Sequence, residues 1–319
     1  MDNYIFLTNY YLPKPGATGV CVHQVAKALA TNSNVFTVCY EDNELINEKD
    51  GVKIRRVKVP YCLKRREKEN RWDGLGRRCQ SMFLKLIHLY NYPLRSRKLV
   101  RGYYASLCEI LDKCGEATVI ASYTPLEAVI AASKIKKIYK TRIKLVYYST
   151  DTLSNEQGKS GILSESYRNK CGVRWERKLF SVYDKILIME CHESHYFSST
   201  YRDMCSKMEL VNFPLFTQLF DYSKKKLDSN KLTLVYAGTF YRTLRNPQFL
   251  CDCLIQLGQL KNISVDFLGG GDCNDIIERA VMRSKGVIKF HGMQSHEIVM
   301  DYLIKADVLL SVGNAESPM

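Results

Sequence analysis

Two arginines in one short turn are the side chains of this sequence best placed for chemistry. The stretch LVYAGTFYRTLRNPQFL, residues 234–250, passes from an apolar run through Gly238 to Arg242 and Arg245, and then to Pro247, which can open a helix. Strands of parallel sheets often end in such a turn before the next helix. If this strand does, two permanent positive charges stand at its exposed end.

A second stretch, YIFLTNYYLPKPGATGVCVHQVAKALA at residues 4–30, has the same organisation. It also runs from an apolar strand through a loop with two glycines, Gly16 and Gly19, into an amphipathic helix. Open parallel sheets bind ligands beyond the carboxyl ends of their strands. The two turns therefore raise the hypothesis that both contact one ligand, although about two hundred residues separate them.

The composition indicates a folded protein of two domains. The chain has 319 residues, of which 46% are apolar and 25% charged, as in ordinary globular proteins. It contains no run of about eighteen apolar residues and no basic leader, so neither a membrane span nor a signal peptide is expected and the predicted location is the cytosol. Twelve cysteines without a leader are expected to be mostly buried thiols rather than disulfides.

A metal site is not predicted. Cys251 and Cys253 lack the two-residue spacer of a zinc knuckle and would point about 200° apart on a helix. His192 and His195 can share a helix face, but no third ligand is evident, so surface or core roles are expected. His23, on the first predicted helix, can face a ligand or be a surface residue.

The net charge of +14 is concentrated between residues 61 and 101. This basic segment carries interleaved aromatic residues, so it can lie on an anionic membrane as an amphipathic helix, and the alternative is a solvated basic face on a long helix. It contains no motif that reads a nucleic acid, so no nucleic-acid partner is expected.

Short β-branched or aromatic runs alternate with helical patterns, which favours parallel strands joined by crossover helices. This predicts a first domain over residues 1–213, a polar, lysine-rich linker over 214–230 and a second α/β domain over 231–319. The predicted strands are 4–9, 35–40, 52–57, 118–121, 144–149 and 185–189, then 232–237, 264–268, 287–291 and 308–312. The predicted helices are 23–30, 77–114 with a break near Pro93, 125–139, 167–182, 247–260, 273–284 and 295–305.

Four segments in order carry a family resemblance: residues 6–30, 234–250, 265–272 (VDFLGGGD) and 288–314 (IKFHGMQSHEIVMDYLIKADVLLSVGN). Together they resemble a family 4 type glycosyltransferase of the GT-B fold, in particular the bacterial enzymes of capsular, exopolysaccharide or O-antigen assembly. The resemblance covers essentially the whole sequence. It implies two Rossmann-like, doubly wound domains that face a cleft. Relatives continue beyond the last residues here, so the second domain is expected to be incomplete, that is, C-terminally truncated.

The resemblance also implies a chemistry. A nucleotide-sugar donor would bind mainly to the second domain and a carbohydrate or lipid-linked glycan acceptor to the first, with retention at the anomeric carbon and no protein-bound metal or other cofactor. Arg245 would neutralise the donor diphosphate, and Arg242 is a second candidate. Many relatives carry another arginine directly after the strand-end glycine, where this chain has Thr239, so either Arg242 substitutes for it or the diphosphate has one cation fewer.

The remaining site residues follow from the same resemblance. Gly16 and Gly19 would let the backbone approach the donor phosphates or the sugar, and the alternative is a tight turn that touches nothing. Asp151, after a predicted core strand, would orient or partly deprotonate an acceptor hydroxyl or steady charge at the anomeric carbon, and the alternative is a helix N-cap. Residues in the vicinity of the nucleotide or sugar would be Gly238, Gly269, Gly270, Gly313 and Asn314.

These observations predict a retaining glycosyltransferase, hexosyltransferase-like, of cell-surface polysaccharide assembly, with a peripheral place on the inner face of the plasma membrane. The alternative is a transferase-like binding protein with little or no turnover, associated with membrane or glycan.

Overall fold

The structure is a computed structural model that describes residues 1–13, 15–41, 46–60, 86, 89–90, 92–155, 163–213, 230–242 and 245–313. The chain divides into two compact units, Met1–Phe216 and Thr217–Met319. The predicted linker therefore lies almost wholly outside the described residues, as does most of the predicted basic segment at 61–101.

Unit 1 contains an eight-stranded sheet in the order β3-β4-β2-β1-β5-β6-β7-β8. All neighbouring strands are parallel except β3, which pairs antiparallel with β4. The strands are β1 Asn3–Leu7, β2 Asn34–Tyr40, β3 Glu48–Lys49, β4 Val52–Val57, β5 Ala117–Ser122, β6 Ile143–Ser149, β7 Lys185–Met189 and β8 Met208–Val211. The central strands are apolar on both faces, as expected when helices cover both sides of a parallel sheet.

Helices connect the strands of unit 1. They are α1 Ala17–Ala30, α2 Arg97–Cys114, α3 Leu126–Tyr139, α4 Glu165–Phe180 and the single turn α5 Glu193–Tyr196. The hydroxyls of Ser96 and Ser164 accept backbone N–H groups at the first turns of α2 and α4, which satisfies donors that the helices leave open. Helix α1 begins at residue 17 rather than at the predicted residue 23, so the glycine loop before it is shorter than expected.

The strand order locates the crevice of the sheet in unit 1. From β1 the chain moves outward through β2 to β4, and then it returns to β5 on the other side of β1 and continues outward to β8. The order reverses between β1 and β5, and ligands of open α/β sheets bind at such a switch point, beyond the carboxyl ends of the strands. The loop that contains Gly16 follows β1, so it lies beside this crevice.

Unit 2 repeats the arrangement on a smaller scale. Its four parallel strands, in the order β11-β10-β9-β12, are β9 Leu232–Phe240, β10 Ile263–Gly271, β11 Ile288–Gly292 and β12 Val308–Leu309. Its helices are α6 Gln248–Leu260, α7 Asn274–Arg283 and α8 His296–Lys305. The order reverses between β9 and β12, so the turn that carries Arg242 and Arg245 follows a strand of the switch point.

The predicted α/β class with Rossmann-like parallel sheets is confirmed. Strands β3 and β8 were not predicted. Strand β3 has only two residues and β8 only four, MELV, so neither is long enough to show a periodic hydrophobic pattern. Strands β9 and β10 run three residues further than predicted, through the glycines at their ends. Within the described residues, no helix combines the length and apolar character needed to cross a membrane.

Candidate functional site

The turn after β9 is closed by its own backbone. The N–H of Arg245 donates to the carbonyl of Tyr241 at 2.8 Å, and the two residues form an isolated antiparallel bridge. Both side chains are exposed. The turn therefore brings Arg245 back to the end of β9, and the exposed guanidinium stands at the reversal of strand order in unit 2.

A buried phenol lies near Arg245. The side chain of Tyr236 is buried on β9, and its ring stacks on Phe240 at 4.2 Å. Its hydroxyl donates to the Thr239 carbonyl at 3.4 Å and is close enough to Arg245 to interact with its charge. Burial raises the pKa of Tyr236, and the positive charge of Arg245 opposes that rise. Among the described residues Arg245 has no carboxylate partner, so its charge is available to an anion.

Arg242 is already engaged by two carboxylates of the next strand-to-helix connection. Its backbone N–H donates to Asp272 Oδ1 at 3.0 Å, and its guanidinium donates to Asp275 Oδ1 at 2.5 Å. The hydrogen bond from Arg242 lowers the pKa of Asp275. A diphosphate would have to compete with Asp275 for Arg242, so Arg245 is the better anion ligand of the two.

Two glycines at the end of β10 are required by strand pairing. Gly269 has φ +126° and a Cβ there would lie 1.9 Å from the carbonyl oxygen of Gly238. Gly271 has φ +153° and its Cβ would lie 1.9 Å from the carbonyl oxygen of Phe240. The β9–β10 ladder thus explains these glycines without a ligand. Gly270 meets only ordinary contacts, with Asn274 Oδ1 the nearest at 3.7 Å.

Two further residues predicted near the nucleotide or sugar are Gly313, the last residue of the described chain, and Asn314. Gly313 is exposed, and a Cβ there would meet nothing within 4 Å. Asn314 lies outside the described residues.

The two glycines after β1 differ in their surroundings. A Cβ on Gly19 would lie 2.0 Å from the carbonyl oxygen of Tyr10, so this buried glycine lets α1 pack against its own preceding loop. Gly16 is the N-cap of α1. A Cβ on Gly16 would have Tyr10 Cβ as its nearest neighbour, at 3.9 Å. The packing supports the tight-turn interpretation for Gly19 and leaves Gly16 the more accessible of the pair.

His23 ties that loop to the rest of unit 1. Its Nδ1 lies 2.7 Å from the hydroxyl of Tyr11 and its Nε2 lies 3.0 Å from Asp50 Oδ2. The side chain is buried, which lowers its pKa even though Asp50 acts in the opposite direction. The surface role considered for His23 is therefore wrong.

Buried polar atoms cluster at the carboxyl ends of the central strands of unit 1. In a folded protein such atoms are normally paired with protein, water or a ligand. In the part of the chain that the structure describes, four of them have no hydrogen-bond partner: Thr8 Oγ1 and Asn9 Oδ1 after β1, the Tyr40 hydroxyl at the end of β2 and Thr150 Oγ1 after β6. These four atoms lie in the strand ends and loops that border the crevice of unit 1.

Asp151 follows β6 directly and is exposed at the same edge of the sheet. Its carbonyl accepts a hydrogen bond from Ser149 Oγ at 2.9 Å. The next helix in the described chain, α4, begins at Glu165 and has Ser164 as its N-cap. The alternative role of Asp151 as a helix N-cap is therefore wrong for α4.

A buried carboxylate, missed in the sequence, holds the loop that carries Asp151. Glu176 on α4 is fully buried, and its Oε1 accepts from the Leu153 backbone N–H and the Tyr196 hydroxyl, both at 2.8 Å. Its Oε2 accepts from the Ser154 hydroxyl and, at 2.5 Å, from the Tyr201 hydroxyl. All four donors are neutral groups, so hydrogen bonds rather than an ion pair hold the Glu176 side chain in place.

Helix α4 also approaches the loop backbone closely. A Cβ on Gly172 would lie 2.4 Å from the carbonyl oxygen of Leu153. Gly172, Glu176 and Leu179 are spaced four and three apart, so they share the inward face of the helix. Arg168, four residues before Gly172, is also buried on this face, so the available signal for the cluster was a glycine and two charged residues in line with Leu179.

His195 extends the cluster towards the surface. Its Nε2 lies 2.7 Å from Ser154 Oγ, and partial burial lowers its pKa. His192 is half-buried in the turn before α5, and its positive charge adds to the lowering of the His195 pKa. In the described ranges, no group of three or more His, Cys, Asp or Glu side chains could hold a metal ion.

Most of the cysteines are not fully buried, contrary to the prediction. Of the ten described, Cys39, Cys251 and Cys273 are buried, and all ten are free thiols. Cys251 is buried while Cys253 is exposed, as their helical spacing predicts.

No protein-family model matches this sequence, and no curated protein is detectably similar to it. Solved structures do match. Sucrose-phosphate synthase of Thermosynechococcus elongatus has a TM-score of 0.63 at 15% identity, over 97% of this chain and 75% of its own. Anabaena HepE, solved with UDP and glucose, has a TM-score of 0.58 at 13% identity, over 97% and 73%.

The lipopolysaccharide outer core galactosyltransferase WaaB, in its apo form, has a TM-score of 0.50 at 12% identity, over 96% of this chain and 73% of its own. At these identities the likeness concerns the fold. These neighbours are GT-B glycosyltransferases, so the chain has the α/β fold of that class.

Proposed function

We propose that this protein is a glycosyltransferase that takes a sugar from a nucleotide-sugar donor. One observation carries the proposal: the Arg245 guanidinium stands exposed at the switch point of unit 2, without a carboxylate partner among the described residues. The fold supports it, since HepE, a structure of the same fold, is solved with UDP-glucose. A UDP-sugar is therefore the first donor to test.

Arg245 would bind the donor diphosphate in the turn after β9. As the bond between the anomeric carbon and the phosphate oxygen breaks, negative charge grows on the departing diphosphate. A fixed guanidinium stabilises that charge more in the transition state than in the ground state. Arg242 would add to this only by exchanging its bond with Asp275 for one with the diphosphate.

The acceptor, a carbohydrate or a lipid-linked glycan, is proposed to bind on unit 1. Asp151 would accept a hydrogen bond from the acceptor hydroxyl and orient it towards the anomeric carbon. In transfer with retention, that oxygen forms the new bond on the face from which the diphosphate leaves. Its proton passes to the departing phosphate oxygen, so no strong protein base is needed. Glu176 would act through the loop it holds, as a positioning residue for Asp151.

A role in cell-surface polysaccharide assembly, with the basic segment 61–101 on an anionic membrane, completes the proposal. A lipid-linked acceptor is anchored in the membrane, so an enzyme that uses it would have to work close to the membrane surface.

The test is donor binding followed by turnover. UDP-, GDP- and dTDP-sugars are compared for their effect on the thermal unfolding midpoint, because a ligand of the folded state raises that midpoint. The proposal expects a rise with one nucleotide class and release of the nucleoside diphosphate when a glycan acceptor is added. Binding without release would instead indicate a transferase-like binding protein, and no binding would refute the proposal.

A further inference from the structure

Helix α6 of unit 2 is apolar on both of its sides. Towards the sheet it buries Cys251 and Leu254. On the opposite side Phe249 is 81% exposed, Leu257 39% and Leu260 80%, and Cys253 is also exposed. These four residues are spaced four, four and three apart, so they form one continuous row, which we call the α6 stripe.

Charges are almost absent from this helix. Asp252 is its only charged residue, and the carboxylate is bound by Gln248 at 2.9 Å and by Arg283 of the neighbouring helix α7 at 2.9 Å. Gln256 and Gln259 are exposed on the same outer side, but contiguous apolar side chains on an exposed surface mark a site of contact with another molecule or a membrane. The outer face of α6 therefore has the character of a surface that another molecule covers.

Lysines surround the carboxyl end of the α6 stripe. Lys261 follows the helix directly. Lys285 lies on the turn that packs against α6, since a Cβ on Gly258 would lie 2.7 Å from the Val287 side chain. Lys231 is near Lys261 because the residues next to them are hydrogen-bonded. The side chain of Asn262 donates to the Asn230 carbonyl at 2.8 Å.

These three lysines are exposed, and none forms an ion pair with a described residue. The stripe thus ends in lysines that have no ion-pair partner within the described residues, and the acidic residue of α6, Asp252, is bound to Arg283. An anionic lipid surface, which has negatively charged headgroups above an apolar interior, is complementary to an apolar stripe that ends in lysines.

We propose that the α6 stripe docks unit 2 on an anionic lipid surface. Phe249, Leu257 and Leu260 enter the boundary between headgroups and acyl chains, and the lysines contact lipid phosphates. A second copy of the protein fits less well. A stable protein interface buries about 800 Å² on each partner, more than a few side chains of one helix supply, and two copies with a net charge of +14 repel each other.

The docking is separate from donor binding and from the basic segment 61–101. It predicts that contact with a membrane depends on unit 2 residues that take no part in the candidate donor site. It also predicts that binding weakens as salt rises, because the lysines interact with the lipid charge through screened electrostatics.

The experiment is flotation of the full-length protein with vesicles of phosphatidylcholine alone or with about one third phosphatidylglycerol. The test variant is Phe249→Glu with Leu260→Glu, and a second variant is Lys261→Ser with Lys285→Ser. The matched control is Ile138→Glu with Tyr167→Glu, which places the same charges on exposed apolar residues of unit 1, 59% and 55% exposed. Circular dichroism checks that each variant folds.

The proposal expects the wild type to bind phosphatidylglycerol vesicles, the first variant to lose about tenfold or more of that partitioning, and the lysine variant about fivefold or more. The control should bind like the wild type, and all variants should keep the wild-type thermal shift with UDP-glucose. Three results would overturn it: no vesicle binding by the wild type, equal binding by wild type and first variant, or an equal loss in the control. A dimer that the first variant dissociates, with vesicle binding unchanged, would assign the stripe to self-association instead.

Discussion

The backbone N–H of Leu153 donates to the buried carboxylate of Glu176 at 2.8 Å, across a separation of 23 residues. This bond, with those from Ser154, Tyr196 and Tyr201, fixes the loop after β6 to helix α4 and to the segment that follows β7. The loop carries Asp151, so the geometry of the candidate acceptor residue depends on a carboxylate that no solvent reaches.

Glu176→Gln is expected to destabilise the protein by about 1–3 kcal/mol. Each carboxylate oxygen of Glu176 accepts two hydrogen bonds, and in glutamine one of these oxygens becomes an NH₂ group, which cannot accept. The donors that point at it would be buried without an acceptor. Urea unfolding measures the change. Glu165→Gln, at an exposed position in the first turn of the same helix, is the control and should change stability by less than about 0.5 kcal/mol. Equal effects of the two variants would show that Glu176 does not hold the loop.

Gly19→Ala is expected to cost about 1–3 kcal/mol, because its Cβ would collide with the Tyr10 carbonyl oxygen and force α1 off its loop. Gly16→Ala has room for the methyl group and should cost less. Thermal unfolding of both variants compares them directly. If Gly16→Ala were the more harmful, the packing described for Gly19 would be incorrect.

Stability is expected to fall as the pH drops below about 6.5. Burial lowers the pKa of His23 and of His195 from 6.5, so between the folded and unfolded values the unfolded chain binds more protons. Stability from these groups is thus present above pH 6.5 and lost as the pH falls through the folded values. Each histidine contributes a slope of at most about 1.4 kcal/mol per pH unit.

Urea unfolding at a series of pH values, compared with His23→Gln and His195→Gln, checks this dependence. Each variant should flatten the acid side of the profile, because it removes a group whose pKa burial lowers. An acid profile as steep in both variants as in the wild type would contradict the assignment.

Asp151→Asn is expected to lower turnover by about tenfold or more while stability changes by less than about 0.5 kcal/mol. Asparagine keeps the shape and loses the charge that orients the acceptor hydroxyl. Steady-state sugar transfer and thermal unfolding separate the two quantities. Asp203→Asn, on an exposed carboxylate of the same unit that pairs with Arg177, is the control and should leave turnover intact. Normal turnover in Asp151→Asn would remove this residue from the mechanism.

The fold could be predicted because buried parallel strands leave a strong local signal. Strands such as Val52–Val57 and Lys185–Met189 occur at the predicted residues, since their β-branched runs sit between polar turns. The site could be predicted less well. Glycine is ambiguous: Gly269 and Gly271 serve the pairing of β9 with β10, which the sequence does not distinguish from contact with a ligand.

Polar contacts between residues that are distant in the sequence could not be predicted either. Asp275 binds Arg242 from 33 residues away, and the donors to Glu176 come from two separate segments, the loop after β6 and the segment after β7. Local periodicity predicts which face of a helix is buried, but not which polar groups meet once the helices pack.

Binding of UDP-glucose by isothermal titration calorimetry tests the central claim most directly, with wild type, Arg245→Ala and Arg283→Ala compared. Arg283 is an exposed arginine of the same unit, paired with Asp252, and serves as the control. Loss of a charge-assisted contact worth about 1.5–3 kcal/mol should weaken binding by Arg245→Ala at least about tenfold, with Arg283→Ala like the wild type. The account is contradicted if Arg245→Ala binds as tightly as the wild type, or if the wild type binds none of the UDP-, GDP- and dTDP-sugars.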